Sequence, residues 1–301
     1  MFNPFSQIAY INHKFNNHPL AKNNILKSWL KYLLYNLLIR IRMGPIKFKW
    51  VNQLNIYVEK GDSSLGGNVF LGLMEFHESA FLVHYLKSAD LFVDVGANLG
   101  HYTLLASGIC GSKTIAIEPV PNTFQKLCYN IKKNNIQKLV TMKNIGVGDE
   151  DGKLNFTDFN NNAINFVKDN SVKNKLSISS RTLNKLLKDK IPNVMKIDVE
   201  GYELFTLLGA NKILSHKKLN MIIIEINGHC HRYGHKENDI YEYISKFGFK
   251  PIFYNPINKK ITLLNKFNRY SDNTIFIKNI KDTNKRISNG NRIHFKNNHS
   301  I

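Results

Sequence analysis

The apolar positions of this chain change period several times along its length. From Ile25 to Met43, Leu26, Leu30, Leu33, Leu34, Leu37 and Ile41 recur at helical spacing, while Lys27, Lys31, Tyr35 and Arg42 gather on another face. This predicts a basic amphipathic helix, ended by Gly44-Pro45. Residues 1–24 before it are polar with scattered apolar side chains and predict no element. Residues 46–60 alternate as strands do, Gly61-Asp62 turns the chain, and 75–87 reads as a helix. From Leu91 strand and helix patterns alternate: LFVDV and a helix to Cys110, KTIAIE and a helix from Asn122, VTMKNIGV, NVMKIDV before EGYELFTLLGANKIL, and MIIIEI before ENDIYEYISKFG. Such alternation predicts an α/β fold, a mostly parallel sheet with helices on both faces. FKPIFY, ITLL and TIFIKN, separated by the turn at Asn255-Pro256, predict a closing antiparallel hairpin, and Lys153–Phe159 predicts an extra strand. The expected divisions are an N-terminal extension (1–45), a strand and helix lead-in (46–90), a catalytic domain (91–278) and a basic, Asn-rich, disordered tail (279–301).

Composition changes this picture little. At 301 residues and 43% hydrophobic the chain can build a sizeable core. Its three cysteines, Cys110, Cys128 and Cys230, are too far apart for a zinc ribbon or a disulfide scaffold, and they suit a reducing compartment. No secretory signal is read at the start, and no apolar stretch reaches the ~20 residues of a membrane span. A cytoplasmic protein is expected, with membrane-surface contact through 25–43 as an option.

The net charge of +20 would suit nucleic acid. However, 35 lysines stand against 7 arginines, beside 40 asparagines, a bias that A/T-rich coding produces without selection for phosphate binding. The excess is concentrated in the flanks, +8 over residues 1–60 and +5 over 278–301.

The first chemical motif is LFVDVGANLGHYT. Asp94 closes a buried strand, and Gly96, Asn98 and Gly100 form the turn that opens the next helix. The pattern D-x-G-x-N-x-G is not the dinucleotide fingerprint. A diphosphate would be repelled by Asp94, whereas S-adenosylmethionine carries an ammonium and a sulfonium that a carboxylate attracts. Glu118 ends the next strand, where an acidic side chain can accept hydrogen bonds from ribose hydroxyls. Asp149, after Val147 and Gly148, is a candidate for the adenine amine, with a plain surface turn as the competing reading.

The order DVGANLGHYT, IEPVPNTFQKL, KIDVEGYE and IIIEI, preceded by GLMEFHES and joined by SSRTLNKLL, resembles the FkbM family of S-adenosylmethionine-dependent methyltransferases. The similarity runs from about Gly72 to about Lys278. It implies a class I methyltransferase fold with a seven-stranded sheet, acting on hydroxyl oxygens, often of sugars or polyketide-like products. It also makes Glu75 a candidate for the cofactor site.

A hydroxyl nucleophile must lose its proton, so a carboxylate or His near the reacting methyl is expected. Asp198 and Glu200 of KIDVEGYE lie at a strand's carboxyl end, where an open sheet places its ligand crevice, and they are the catalytic candidates. Helix stabilisation is the competing role for Glu200, and Glu203 is expected to serve that role or be exposed. His101, Glu225, His229 and His231 are candidates for acceptor binding. A metal reading would join the histidines of NGHCHRYGH to Asp198 or Glu225, but H-x-H on a loop is too loose a signal, and no metal is expected.

The expected function is therefore O-methylation of a sugar, glycan or related small molecule. An RNA methyltransferase using the basic flanks is one alternative. It is disfavoured because KIDVEG stands where base-modifying enzymes of this fold carry N/D-P-P-Y/F. A non-catalytic module is another, which the presence of Asp94 and Glu118 argues against.

Overall fold

The computed structural model describes residues 4–157, 167, 175–296 and 300–301. Two helices, α1 (Pro4–Asn17) and α2 (Ile25–Ile41), precede an antiparallel pair, β1 (Ile46–Lys49) and β2 (Asn55–Val58). Helices α3 (Ser63–Leu71) and α4 (Phe76–Tyr85) lead into β3 (Leu91–Val95). Then come α5 (His101–Thr103, continued by a π-helical stretch Leu104–Ile109), β4 (Lys113–Ile117), α6 (Pro121–Lys133) and β5 (Val140–Lys143). A small three-stranded sheet follows, made of β6 (Gly146–Val147), β7 (Gly152–Thr157) and β8 (Lys175–Arg181) in the order β6-β8-β7. The rest is α7 (Leu183–Leu187), β9 (Val194–Ile197), α8 (Glu203–Leu208), α9 (Asn211–Ser215), β10 (Met221–Glu225), α10 (Glu237–Ser245), β11 (Lys250–Asn255), β12 (Lys260–Leu263), β13 (Asn273–Ile277) and α11 (Ile280–Ser288).

The main sheet has the order β12-β11-β13-β10-β9-β3-β4-β5. The run from β10 to β5 is parallel, and β13, β11 and β12 are added antiparallel. The sheet carries eight strands where the resemblance implied seven, and the predicted hairpin strands FKPIFY and ITLL are β11 and its edge neighbour β12. Alternation along the strands separates two apolar layers. Phe92, Val194, Met221, Ile223 and Ile275 face α4, while Val93, Val95, Met195, Ile222, Ile224 and Phe276 face α8 and α10.

Three expectations are corrected. VTMKNIGV is not one strand: Asn144 Nδ2 donates to the carbonyls of Glu118 (2.9 Å) and Pro119 (2.8 Å), and the chain leaves the sheet there to pair with β8. The predicted strand Lys153–Phe159 is present as β7, and its last two residues lie outside the described ones. Residues 4–17 form a helix, whose Ile11 and Phe15 are buried against Trp29, Tyr32 and Phe70. Phe15 meets the Trp29 ring edge-on at 5.3 Å.

The third correction concerns the tail. Residues 280–288 are helical and docked: Thr283 and Ile287 are buried, as is Ile293 beyond them. Asn279 caps the helix through the Asp282 N–H. Arg286 makes a two-pronged contact with the buried Asp90 carboxylate at 2.6 and 3.2 Å and lies over the Tyr85 ring. Gly290 approaches the His84 backbone so closely that a Cβ would stand 2.2 Å from its carbonyl oxygen.

Arg286→Ala should therefore lower unfolding stability by about 2 kcal/mol, because Asp90 loses a charge-assisted partner while remaining buried. Gly290→Ala should also destabilise. Urea melts that left both midpoints at the wild-type value would mean that the tail is not docked.

Candidate active site

The carboxyl ends of the central strands bring chemistry to one face. Asp94 on β3 lies beside Lys196 on β9, and Glu225 at the end of β10 lies beside Asn273 at the start of β13. All four share the parity of the layer that faces α4, and Asp198 follows β9 with the same parity. Glu75, just before α4, and Tyr102, on α5, close over them.

Lys196 is 1% exposed, and its Nζ donates to Asp198 Oδ2 (3.0 Å) and Asn273 Oδ1 (2.8 Å). It also sits 5.4 Å from the centre of the Tyr102 ring. Burial works against its charge, but Asp198, Glu75 and Glu225 outweigh burial and raise its pKa. Asn273 Nδ2 donates to Glu75 Oε2 at 2.9 Å, and Tyr102 Oη donates to the same oxygen. Burial raises the Glu75 pKa, with Lys196 opposing the rise.

On the β3–β4 side, Gly96 turns the chain at φ 78°, and a Cβ there would stand 1.7 Å from the Asp198 carbonyl oxygen, so only glycine fits. Asn98 follows in the left-handed region (φ 50°) and donates its N–H to Glu118 Oε2 at 3.0 Å. Ser64 Oγ donates to Asn98 Oδ1, tying α3 to the loop. Glu118 also accepts the Val120 N–H, and burial lifts its pKa to about 7. Asp94 is 1% exposed, accepts from Thr103 Oγ1 at 2.6 Å, and is lifted by burial to about 6.

On the β9–β10 side the two glutamates of VEGYE divide their work. Glu203 is buried and its Oε1 accepts the N–H groups of Val199 (3.2 Å) and Gly201 (3.0 Å), so it holds the turn. Glu200 is left to face the cleft from a left-handed backbone (φ 56°). Its Oε2 lies 3.0 Å from His229 Nδ1. Burial first, then Asp198 and Glu203, raise its pKa to about 8. Burial, with Arg232, lowers that of His229. Glu225 is raised by burial and by Asp198, and its Oε2 is buried without a hydrogen-bond partner among the described residues.

Glu75, Asp94, Asn98, Tyr102, Glu118, Lys196, Asp198, Glu200 and Glu225 line one cleft of about 250 Å³. Among the described residues its walls carry six carboxylates (Glu75, Asp94, Glu118, Asp198, Glu200, Glu225) and a single lysine, Lys196. An apolar wall beside Glu118 is built from Val120, Ile145, Val147 and Phe156.

Among the sequence candidates, Asp94, Gly96, Asn98, Glu118, Glu75, Asp198, Glu200, Glu225 and His101 line this cleft. Gly100, Asp149, His229 and His231 do not. Gly100 opens α5 behind the wall, against Leu127. Asp149 is exposed, because the chain has left the main sheet before reaching it. His231 is turned toward Glu237, 3.1 Å away. His229 reaches the cleft only through Glu200.

His101 lines the cleft, but its ring is already engaged. Ser79 Oγ donates to the Met74 carbonyl and so accepts from His101 Nε2 (2.8 Å), while Asn68 Nδ2 donates to Nδ1 (3.1 Å). That set fits a neutral imidazole, and burial lowers its pKa to about 3. Both ring nitrogens are therefore engaged within the fold. Lys196, Tyr102 and Asn273 were not foreseen. The available signal was the lysine in VMKI, the one charge in a strand otherwise apolar throughout.

The donor set suits a cationic ligand bearing hydroxyls. Glu225 Oε2 has an unmet acceptor, and the ionised forms of the buried carboxylates want positive charge. Glu200, Glu225 and His229 also bring one ligand atom each within 4.8 Å of one another, a spacing that can hold a metal ion.

Comparison with known proteins places the chain in a family. A hexuronic acid methyltransferase, AglP, of Haloferax volcanii is 29% identical over 151 residues, 48% of this chain. The match spans 59% of that relative's length. Similar solved structures include a precorrin-6y C5,15-methyltransferase of Geobacter metallireducens (14% identity, 67% of this chain and 87% of that one, TM-score 0.39). Another is TYW2 of M. jannaschii in complex with AdoMet (15% identity, 78% and 86%, TM-score 0.39). The family model of the methyltransferase FkbM domain matches residues 94–251, from Asp94 through β9, Glu225 and α10. With 158 of its 301 residues in that match, the chain belongs to the methyltransferase FkbM domain family.

Proposed function

We propose that the protein transfers a methyl group from S-adenosylmethionine to a hydroxyl oxygen of a sugar, glycan or related small-molecule acceptor. The observation that carries this reading is the charge of the cleft: among the described residues, six carboxylates against one lysine, in a protein whose net charge is +20. A diphosphate cofactor would be repelled there, and a sulfonium with an ammonium would be attracted. The relative that acts on a hexuronic acid supports a sugar-type acceptor.

We assign Glu118 to accept from ribose hydroxyls, a role supported by its place in the cleft beside an apolar wall suited to a purine ring. Asp94 and Glu75 supply negative charge at the loop and on the α4 side. When bound, the cofactor supplies an electrophilic methyl, and acceptor oxygen, carbon and sulfur must lie in line. As the new O–C bond forms and the C–S bond breaks, the acceptor proton passes to a carboxylate. Asp198 and Glu200 are the groups we assign to that work. Glu200 shares its position with His229, so the pair can take one proton and hold it between Oε2 and Nδ1. Lys196 keeps Asp198 oriented beside them.

A second reading has its own observation, the Glu200–Glu225–His229 cluster. A divalent cation there would orient the acceptor hydroxyl. Dialysis against a chelator separates the two. Unchanged turnover supports proton transfer without metal, and a loss restored by Mg²⁺ or Mn²⁺ supports the cation.

Asp94→Asn and Glu118→Gln should each weaken cofactor binding by about 1–3 kcal/mol, measured by calorimetry. Acidifying the wild type below about pH 6 should weaken it in the same sense, because Asp94 then becomes neutral. The Asp94→Asn variant should lack that part of the pH dependence.

Asp198→Asn and Glu200→Gln should lower kcat at least about 100-fold with little change in cofactor affinity. The pH profile of kcat should rise toward alkali and level off above about 8, since protonated Glu200 cannot accept a proton. Glu200→Gln should flatten that rise. An unaltered profile would exclude Glu200 as the base.

A further inference from the structure

Helix α2 is apolar on two opposite sides, and only one of them is used by the fold. Ser28 and Ile39 are buried, and Trp29, Tyr32, Tyr35 and Leu38 pack against the body. The other side is the leucine stripe that the sequence pattern singles out. Leu26 is 73% exposed, Leu30 60%, Leu33 59%, Leu34 55%, Leu37 56% and Ile41 67%. At 100° per residue these six occupy an arc of about 100°, centred opposite the packed side. Single exposed leucines are ordinary on a protein surface, but a contiguous stripe of this length marks an interaction site.

The charge around the stripe indicates what it meets. Arg40 borders one edge of the arc, and Lys27 and Lys31 border the other, all exposed. The first acidic residue of the chain is Glu59, so the eight basic side chains before it have no acidic partner nearby in sequence. Among the described residues no helix is long and apolar enough to cross a membrane. An outward apolar face with basic borders is instead the pattern of a helix that lies in a bilayer interface. A second copy packed stripe to stripe would bring these basic borders together. An anionic surface neutralises them.

We propose that the outward face of α2 seats the protein on an anionic phospholipid surface, with Leu26, Leu30, Leu33, Leu34, Leu37 and Ile41 in the headgroup–acyl boundary and Lys27, Lys31 and Arg40 at the phosphates. The seat is structurally continuous with the cleft. Tyr35 Oη donates to the Asp62 carbonyl at the start of α3, and Ser64 on α3 holds Asn98 of the cofactor loop. The proposal concerns binding and stands whether or not the assigned chemistry does.

The test is co-sedimentation of the full chain with phosphatidylcholine vesicles, with and without about 30% phosphatidylserine. Binding should require phosphatidylserine and should fall at least about tenfold between about 0.1 and 0.5 M salt. The triple variant Leu30→Ser/Leu34→Ser/Leu37→Ser and the double variant Lys27→Glu/Arg40→Glu should each lose at least about tenfold in partitioning. Both should keep the wild-type thermal midpoint, since these side chains point away from the core. Equal binding to both vesicle types, or binding to neither, would overturn the proposal. So would a dimer in sedimentation equilibrium that the leucine variant dissolves, because the stripe would then belong to a second copy.

Discussion

The Lys196 ammonium is the charge around which the active site is arranged. It is sealed from water, and an isolated ammonium there would be neutralised rather than tolerated. It survives because Asp198 and Asn273 accept its protons and because Glu75 and Glu225 add negative potential. The dependence runs both ways. Glu75 and Glu225 sit in surroundings that favour their neutral forms, and Lys196 is the one lysine among the described residues of the cleft to oppose this. Breaking such a set by removing one partner costs more than the set contributes as a whole. The network is better understood as fixing where Asp198 and Glu75 point than as a source of stability.

That fixation extends into the backbone. Glu75, Asn98 and Glu200 all adopt left-handed conformations, which cost non-glycine residues about 1–3 kcal/mol each, and all three line the same cleft. Each strained position has a restraint beside it. Asn98 is held by Glu118 and Ser64, Glu75 by Asn273 and Tyr102, and the Glu200 turn by Glu203. Strain that the surrounding hydrogen bonds over-determine is the means by which a rigid sheet aims polar side chains into a space it would otherwise fill with apolar ones. The division of VEGYE into one glutamate that holds the turn and one that faces the cleft is an instance.

Much of this was legible in the sequence because it depends on local pattern. The β3 loop, the acidic end of β4 and the two carboxylates after β9 occur at fixed offsets from buried strands, and periodicity locates the strands. What was not legible depends on partners distant in the chain. Lys196 meets Asn273 across 77 residues, and Asn273 meets Glu75 across 198. His101 looks available until Ser79 and Asn68 occupy both of its nitrogens. The tail was misread for the same reason. Its composition predicts disorder, yet Thr283, Arg286 and Ile287 fall on one helical face that meets α4 and Asp90. The stripe of α2 shows the opposite limit. Its period was read correctly, but period alone does not say which of two apolar sides the fold will cover.

The basic composition of this chain makes its exceptions more informative than its average. Lysine and asparagine are spread so widely that an ordinary surface patch here is positive by default, and such a patch says little about partners. Departures from that background require a physical cause. One is the cleft, where six carboxylates gather although acidic residues are outnumbered 42 to 22 over the whole chain. Another is the first 58 residues, where acid is absent altogether while leucine points outward. Neither departure is needed to close the core: the sheet is already filled by its two apolar layers, and α2 is already anchored by its aromatic side. A feature that folding does not require, and that the compositional bias would tend to erase, is accounted for by what it contacts from outside. For the cleft the contact we propose is a cationic cofactor, and for the outward face of α2 an anionic surface.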